Sequence, residues 1–243
     1  MHRSLAIEAG EVAPGSVLLS TVVGITLAAG GFAIGVGATG IAEGSTSFWY
    51  LSRASGFVAY LLLWGSVMWG LLLSTGTGRR WMRPPLLLDA HQFLSTAAVG
   101  FASFHGLVLM GDRYVSFPLL AIVVPFTGSY EPLLVAFGQI AIWLSVLLIG
   151  SFHLRRLLGG QAWRRLHYAS FVAFCVACVH GLALGSESAT LWASLLYMGT
   201  IAPVIFLCLY RVLSTPRLQG LLIEAAAHHP VSPSQHQHSL RAR

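Results

Sequence analysis

The stretch "LHYASFVAFCVACVHG", residues 166–181, has the make-up of a membrane helix yet holds His167, His180 and a Cys-x-x-Cys pair. Two more histidines, His91 and His105, stand in another apolar run. Ionisable side chains are costly in lipid, so each needs a compensating partner. For an imidazole the compensations are metal ligation or hydrogen-bonded packing against a neighbouring helix. The thiols offer less. A redox Cys-x-x-Cys opens a helix, where the N-terminal dipole activates a thiol, whereas Cys175 and Cys178 sit mid-run, three residues apart on one face. They read as small packing residues, as does Cys208 in its own apolar run.

The elements that must position the histidines are transmembrane helices. Of 243 residues, 56% are hydrophobic and 9% charged, with mean hydropathy +0.74; a soluble domain carries roughly a quarter charged residues. Runs long enough to cross a bilayer occur six times, near Val17–Ile41, Phe48–Ser74, Leu86–Met110, Leu133–Phe152, Trp163–Leu184 and Leu191–Leu213. There is no lysine, and 11 of 14 arginines follow the second, fourth and sixth runs. The positive-inside rule makes that side cytoplasmic, with both termini inside. The net charge of +6 is then a matter of membrane topology, and no nucleic-acid partner is expected.

Around this core the expectations are simple. Residues 1–16 lack the apolar core and cleavage site of a signal peptide and are expected to remain as a cytoplasmic segment. The tail, 214–243, is expected to be disordered in the cytoplasm. The loop from Gly111 to Pro132 is apolar but broken by proline and glycine, and is expected to lie on the outer face as a lid. "GVGATG", at residues 35–40, matches a dinucleotide-binding glycine pattern. It ends a membrane run without the strand, helix and distal acid that the fingerprint needs, so its small residues read as helix packing.

Runs three and five cross in the same direction. His91 and His167 therefore share the inner level, and His105 and His180 the outer. Their separations, 14 and 13 residues, correspond to about 21 and 19.5 Å of helix. One imidazole pair at each level is the axial ligand set of a bis-histidine haem. Coordination would compensate the buried nitrogens, and a porphyrin's apolar edge suits a bundle interior. Packing histidines are the rival, but four at matched depths favour ligation. Zinc wants four close ligands, and the pairs lie about 20 Å apart along their helices. One difficulty is angular. At about 100° per residue, 14 steps return within about 40° of the starting face, whereas 13 land about 220° away. His167 and His180 face one interior only if a tilt, kink or π-bulge lies between them. Of the other histidines, His153 reads as interfacial, and His2, His228, His229, His236 and His238 lie in polar ends.

Four segments, "FWYLSRASGFVAYLLL", "LLDAHQFLSTAAVGFASFHG", "VPFTGSYEP" and "WRRLHYASFVAFCVACVHG", give residues 46–213 a resemblance to the ferric-reductase-like transmembrane domain family. That family includes NADPH oxidases, ferric reductases and the haem subunit of bacterial methionine-sulfoxide reductase systems. With the six apolar runs, the resemblance implies an all-α, polytopic fold: a six-helix bundle over residues 17–213 enclosing two stacked b-type haems. His91 and His167 would ligate the inner haem, and His105 and His180 the outer. It implies a bacterial plasma-membrane protein passing electrons outward. The sequence stops at Arg243, without the flavin and nicotinamide domains of the oxidases. The expected donor is therefore a separate reductase, a quinol or a free flavin (FMN or FAD), and the acceptor an outer-face species or protein. The alternatives are a cytochrome b subunit of a larger quinone-linked complex and a non-redox membrane scaffold.

Three arginines join the candidate site. Arg53 is placed well inside the outer leaflet, where a guanidinium needs an anion. An outer haem propionate, a substrate anion, or snorkelling to the headgroups would each serve. Arg164 and Arg165, just before His167, would serve the inner propionates or act as positive-inside anchors.

Overall fold

The computed structural model describes residues 47–111 and 117–213. The expected first span, "GVGATG", residues 1–16 and the tail from 214 lie outside the described residues. Regular structure among the described residues is helical: α1 Ser47–Thr75, α2 Pro84–Val108, α3 Leu119–Val123, α4 Pro132–His153, α5 Arg155–Leu158, α6 Gly160–His167, α7 Ala169–Leu184 and α8 Leu191–Leu213. Short 3-10 turns cover Thr77–Arg80 and Leu109–Gly111. Five stretches are long and apolar enough to cross a membrane: Phe48–Thr75, Pro84–Gly111, Pro132–His153, Gly160–Leu184 and Leu191–Leu213. The chain is thus built as an integral membrane protein, and these five match the last five runs expected from hydropathy.

The helix boundaries follow from local chemistry. Gly76, at φ 73°, ends α1 in the left-handed region that favours glycine. Extended Arg83 precedes two prolines that open α2, and Pro132 opens α4. Gly159, at φ 77°, turns the chain between α5 and α6.

The chain divides into two compact units, Met1–Thr200 and Ile201–Arg243. In the first, α1 packs along α2, and α4 along α7, with further contact between α2 and α4 and between α1 and α7. Small buried residues such as Ala98, Ala136 and Ala173 let the helices approach. Large apolar side chains such as Phe93, Trp143 and Val172 are left exposed, as a lipid-facing surface requires. In the second unit, the described residues complete α8, with Pro203 inside the helix.

The expected lid is partly helical. Its described portion contains α3, whose last carbonyls are orphans in so short a helix. Side chains of α4 take them. Gln139 Nε2 donates to Ala121 O and Ile122 O at 2.6 and 2.9 Å, and Trp143 Nε1 to Val123 O at 2.9 Å. The lid is thereby fastened to α4 beside Gly138, nearly two turns from its start.

Candidate functional site

His91 and His105 lie on α2, which stays helical through both. Their partners lie on a broken rod: His167 closes α6, Tyr168 interrupts, and His180 is on α7. The interruption is tightened rather than bulged. Tyr168 N donates to Arg165 O and Phe171 N to Tyr168 O, both bonds spanning three residues instead of four. Between His167 and His180 the structure has this tightened turn and no π-bulge.

The four rings meet as the matched depths require. His91 and His167 have ring centres 6.0 Å apart, and His105 and His180 6.2 Å. The rings are steeply inclined, at 71° and 83°. With a metal–imidazole bond of about 2.0–2.1 Å and a nitrogen about 1.1 Å from its ring centre, two imidazoles across one ion have centres about 6.2–6.4 Å apart. The outer pair, at 6.2 Å, has that spacing, and the inner pair, at 6.0 Å, is slightly closer.

Three of the rings are held alike by a neighbouring helix. His91 Nδ1–H donates to Ser66 O at 2.9 Å, His105 Nδ1–H to Ser52 O at 2.7 Å, and His180 Nδ1–H to Leu134 O at 2.8 Å. A carbonyl only accepts, so Nδ1 carries the proton in each ring and Nε2 is the nitrogen left to ligate. Four residues after each carbonyl stands a glycine: Gly70, Gly56 and Gly138. A Cβ at Gly138 would lie 2.8 Å from His180 Cε1, one at Gly56 3.0 Å from His105 Nδ1, and one at Gly70 3.3 Å from His91 Cε1. Each imidazole thus lies over a helical turn whose carbonyl holds it and whose glycine makes room for it. On α1 this device recurs after 14 residues, as "SRASG" and "SVMWG", the same interval that separates His91 from His105. The fourth ring is held differently: His167 stacks on Trp163, one turn earlier, with centres 5.1 Å apart.

Among the described residues no group of three or more His, Cys, Asp and Glu side chains comes together as a metal site. Each pair therefore offers two nitrogens and no more. Two facing imidazoles would suit an iron whose other four ligands came with a porphyrin. Trp163 Nε1 is buried with no hydrogen-bond partner, so a donor stands beside His167 for an acceptor on such a group.

The arginines separate. Arg53 forms an ion pair with Glu187 from the turn between α7 and α8, so the chain itself supplies an anion where a propionate was expected. Both side chains remain partly exposed. Arg164 and Arg165 are exposed on α6. Cys175, Cys178 and Cys208 are free thiols, Cys175 exposed and Cys178 buried. Cys178 packs beside the Tyr60 hydroxyl at 3.8 Å, which suits the packing role. The carbonyl–glycine turns, Trp163 and Glu187 were not anticipated as parts of the site, although the repeat of Ser-x-x-x-Gly at the histidine interval is visible in the sequence.

No family model matches the chain, and no curated protein or solved structure matches it. The resemblance to ferric-reductase-like domains is carried by the four motif segments alone.

Proposed function

We propose that the chain is a transmembrane electron-transfer protein holding two b-type haems, one on His91 and His167 and the other on His105 and His180, in the manner of the ferric-reductase-like domains its motifs resemble. The observation that carries this reading is the pair of imidazole couples 6.0 and 6.2 Å apart, with Nδ1–H of three rings committed to carbonyls so that Nε2 is free to ligate. Haem would supply one-electron transfer, and the chain its orientation, burial and ligand basicity. The positive-inside rule puts the arginine-rich end in the cytoplasm, and in this reading electrons run from a reductase, flavin or quinol there toward an acceptor outside. Arg164 and Arg165 at that end suit the carboxylates of the haem on His91 and His167, and Arg53 those of the other if it leaves Glu187.

A second reading, histidines as packing groups in a non-redox scaffold, is favoured by the inclined ring contacts and the carbonyl bonds, which need no metal to form. Purified protein, scanned before and after dithionite, separates the two. Two haems per chain with a sharpened reduced α band support electron transfer, and haem-free protein from haem-replete cells refutes it. Reduction by quinol in membranes would instead identify a quinone-linked cytochrome b.

A further inference from the structure

The two histidine levels of α1 and α2 repeat by 14 residues at three positions, histidine, serine and glycine, and differ at a fourth. Four residues after His91 stands Ser95; four after His105 stands Leu109. Ser95 Oγ donates to His91 O at 2.7 Å, which uses its proton. Ser66 Oγ, 2.7 Å from Ser95 Oγ, is therefore the donor of that pair. With its proton so directed, the Ser66 hydroxyl turns a lone pair toward His91 Nδ1, 3.3 Å away. His91 thus gives its Nδ1–H to a carbonyl and a hydroxyl polarised by a second hydroxyl, and such chains strengthen one another where the dielectric is low. At the other level Ser52 Oγ stands 3.1 Å from His105 Nδ1 and donates over a long 3.3 Å to His105 O, with no second hydroxyl in line. His180 has a carbonyl alone.

We propose that Ser66 and Ser95 are positioning residues that raise the electron-donating power of His91, through a second hydroxyl that the His105 level lacks. This rests on the two-haem reading. An imidazole whose N–H is pulled by strong acceptors is a better donor to the metal and stabilises the oxidised ion. Removing either hydroxyl should favour the reduced state at that centre only.

The test is a potentiometric titration of the full-length haem-loaded protein, following the reduced α band as two components. The His91–His167 component is the one that survives in His180→Ala. Ser66→Ala and Ser95→Ala should each shift its reduction equilibrium toward the reduced form by about two- to tenfold, leaving the other component unmoved. Ser95→Thr, which keeps the hydroxyl, should restore the original value. Full haem content with neither component shifted, or both shifted alike, overturns the proposal. If Ser66→Ala does not hold haem, Ser95→Ala decides alone. A wild-type chain without haem overturns the two-haem reading and this proposal with it.

Discussion

Gly138→Ala is the sharpest perturbation the structure offers. The new methyl carbon would stand 2.8, 2.9 and 3.1 Å from Cε1, Nδ1 and Cγ of His180, where ordinary contact is about 3.5–4.0 Å. The ring must retreat by roughly 0.7–1 Å. It is tethered by its 2.8 Å bond to Leu134 O, so the retreat stretches that bond as well. Overpacking costs about 1–3 kcal/mol and the weakened hydrogen bond about 1 kcal/mol. Together they come to about 2–4 kcal/mol, which on the two-haem reading is a loss of roughly 30- to 1000-fold in haem affinity at the His105–His180 pair. The assay is haem per chain from the reduced α band, measured during haem titration of purified variants in detergent. Gly56→Ala, with 3.0 Å to a ring atom, should cost the same centre somewhat less, and Gly70→Ala, at 3.3 Å, should only mildly weaken the other. Gly150→Ala is the control on the same helix as Gly138. It meets nothing within 4 Å and gains helix propensity of about 0.5–1 kcal/mol. Equal haem loss from Gly138→Ala and Gly150→Ala would refute the reasoning, because helix chemistry and not the imidazole would then be responsible. So would full occupancy in Gly138→Ala.

Two further outcomes follow from polar pairs. Glu187→Gln and Arg53→Ala should each cost no more than about 1 kcal/mol, the range for a partly exposed ion pair, and the double variant no more than the costlier single one in thermal unfolding. Haem loss in Arg53→Ala but not in Glu187→Gln would return the arginine to a propionate. Tyr60→Phe removes the buried 2.6 Å bond to Thr200 and should destabilise by about 1 kcal/mol. Thr200 keeps its own bond to Leu196 O, so a loss beyond about 3 kcal/mol would mean the tyrosine hydroxyl has another role.

What was legible in the sequence divides along a physical line. The five described spans were placed to within three residues because hydropathy alone decides which segments enter lipid, and the prolines at 84, 85 and 132 mark where helices open. The pairing of His91 with His167 and His105 with His180 was legible because intervals of 14 and 13 residues span nearly the same length of helix, about 21 and 19.5 Å. The holding groups were hidden for the opposite reason. A backbone carbonyl is supplied by every residue, so nothing in "LVAFG" marks Leu134 as the acceptor for His180; only Gly138 leaves a trace, and one glycine among 26 is weak. Glu187 was visible merely as a loop charge, since its meeting with Arg53, 134 residues away, depends on how α1 and α7 pack.

The 13-residue interval between His167 and His180 is the case where local geometry and tertiary demand must be reconciled. An unbroken helix would carry His180 about 220° round from His167 and about 1.5 Å short of the 14-residue interval on α2. The break at Tyr168 changes both quantities together. If the four steps after His167 take 3-10 geometry, at about 120° and 2.0 Å each, and the other nine remain α-helical, the total is about 1380° and 21.5 Å. That is within about 60° of whole turns. Fourteen α-helical steps give about 1400° and 21 Å, within about 40° of whole turns. One tightened turn therefore makes 13 residues equivalent to 14 in both phase and length. A deviation of that size would let two chain segments of different spacing present two histidine couples at the same two depths.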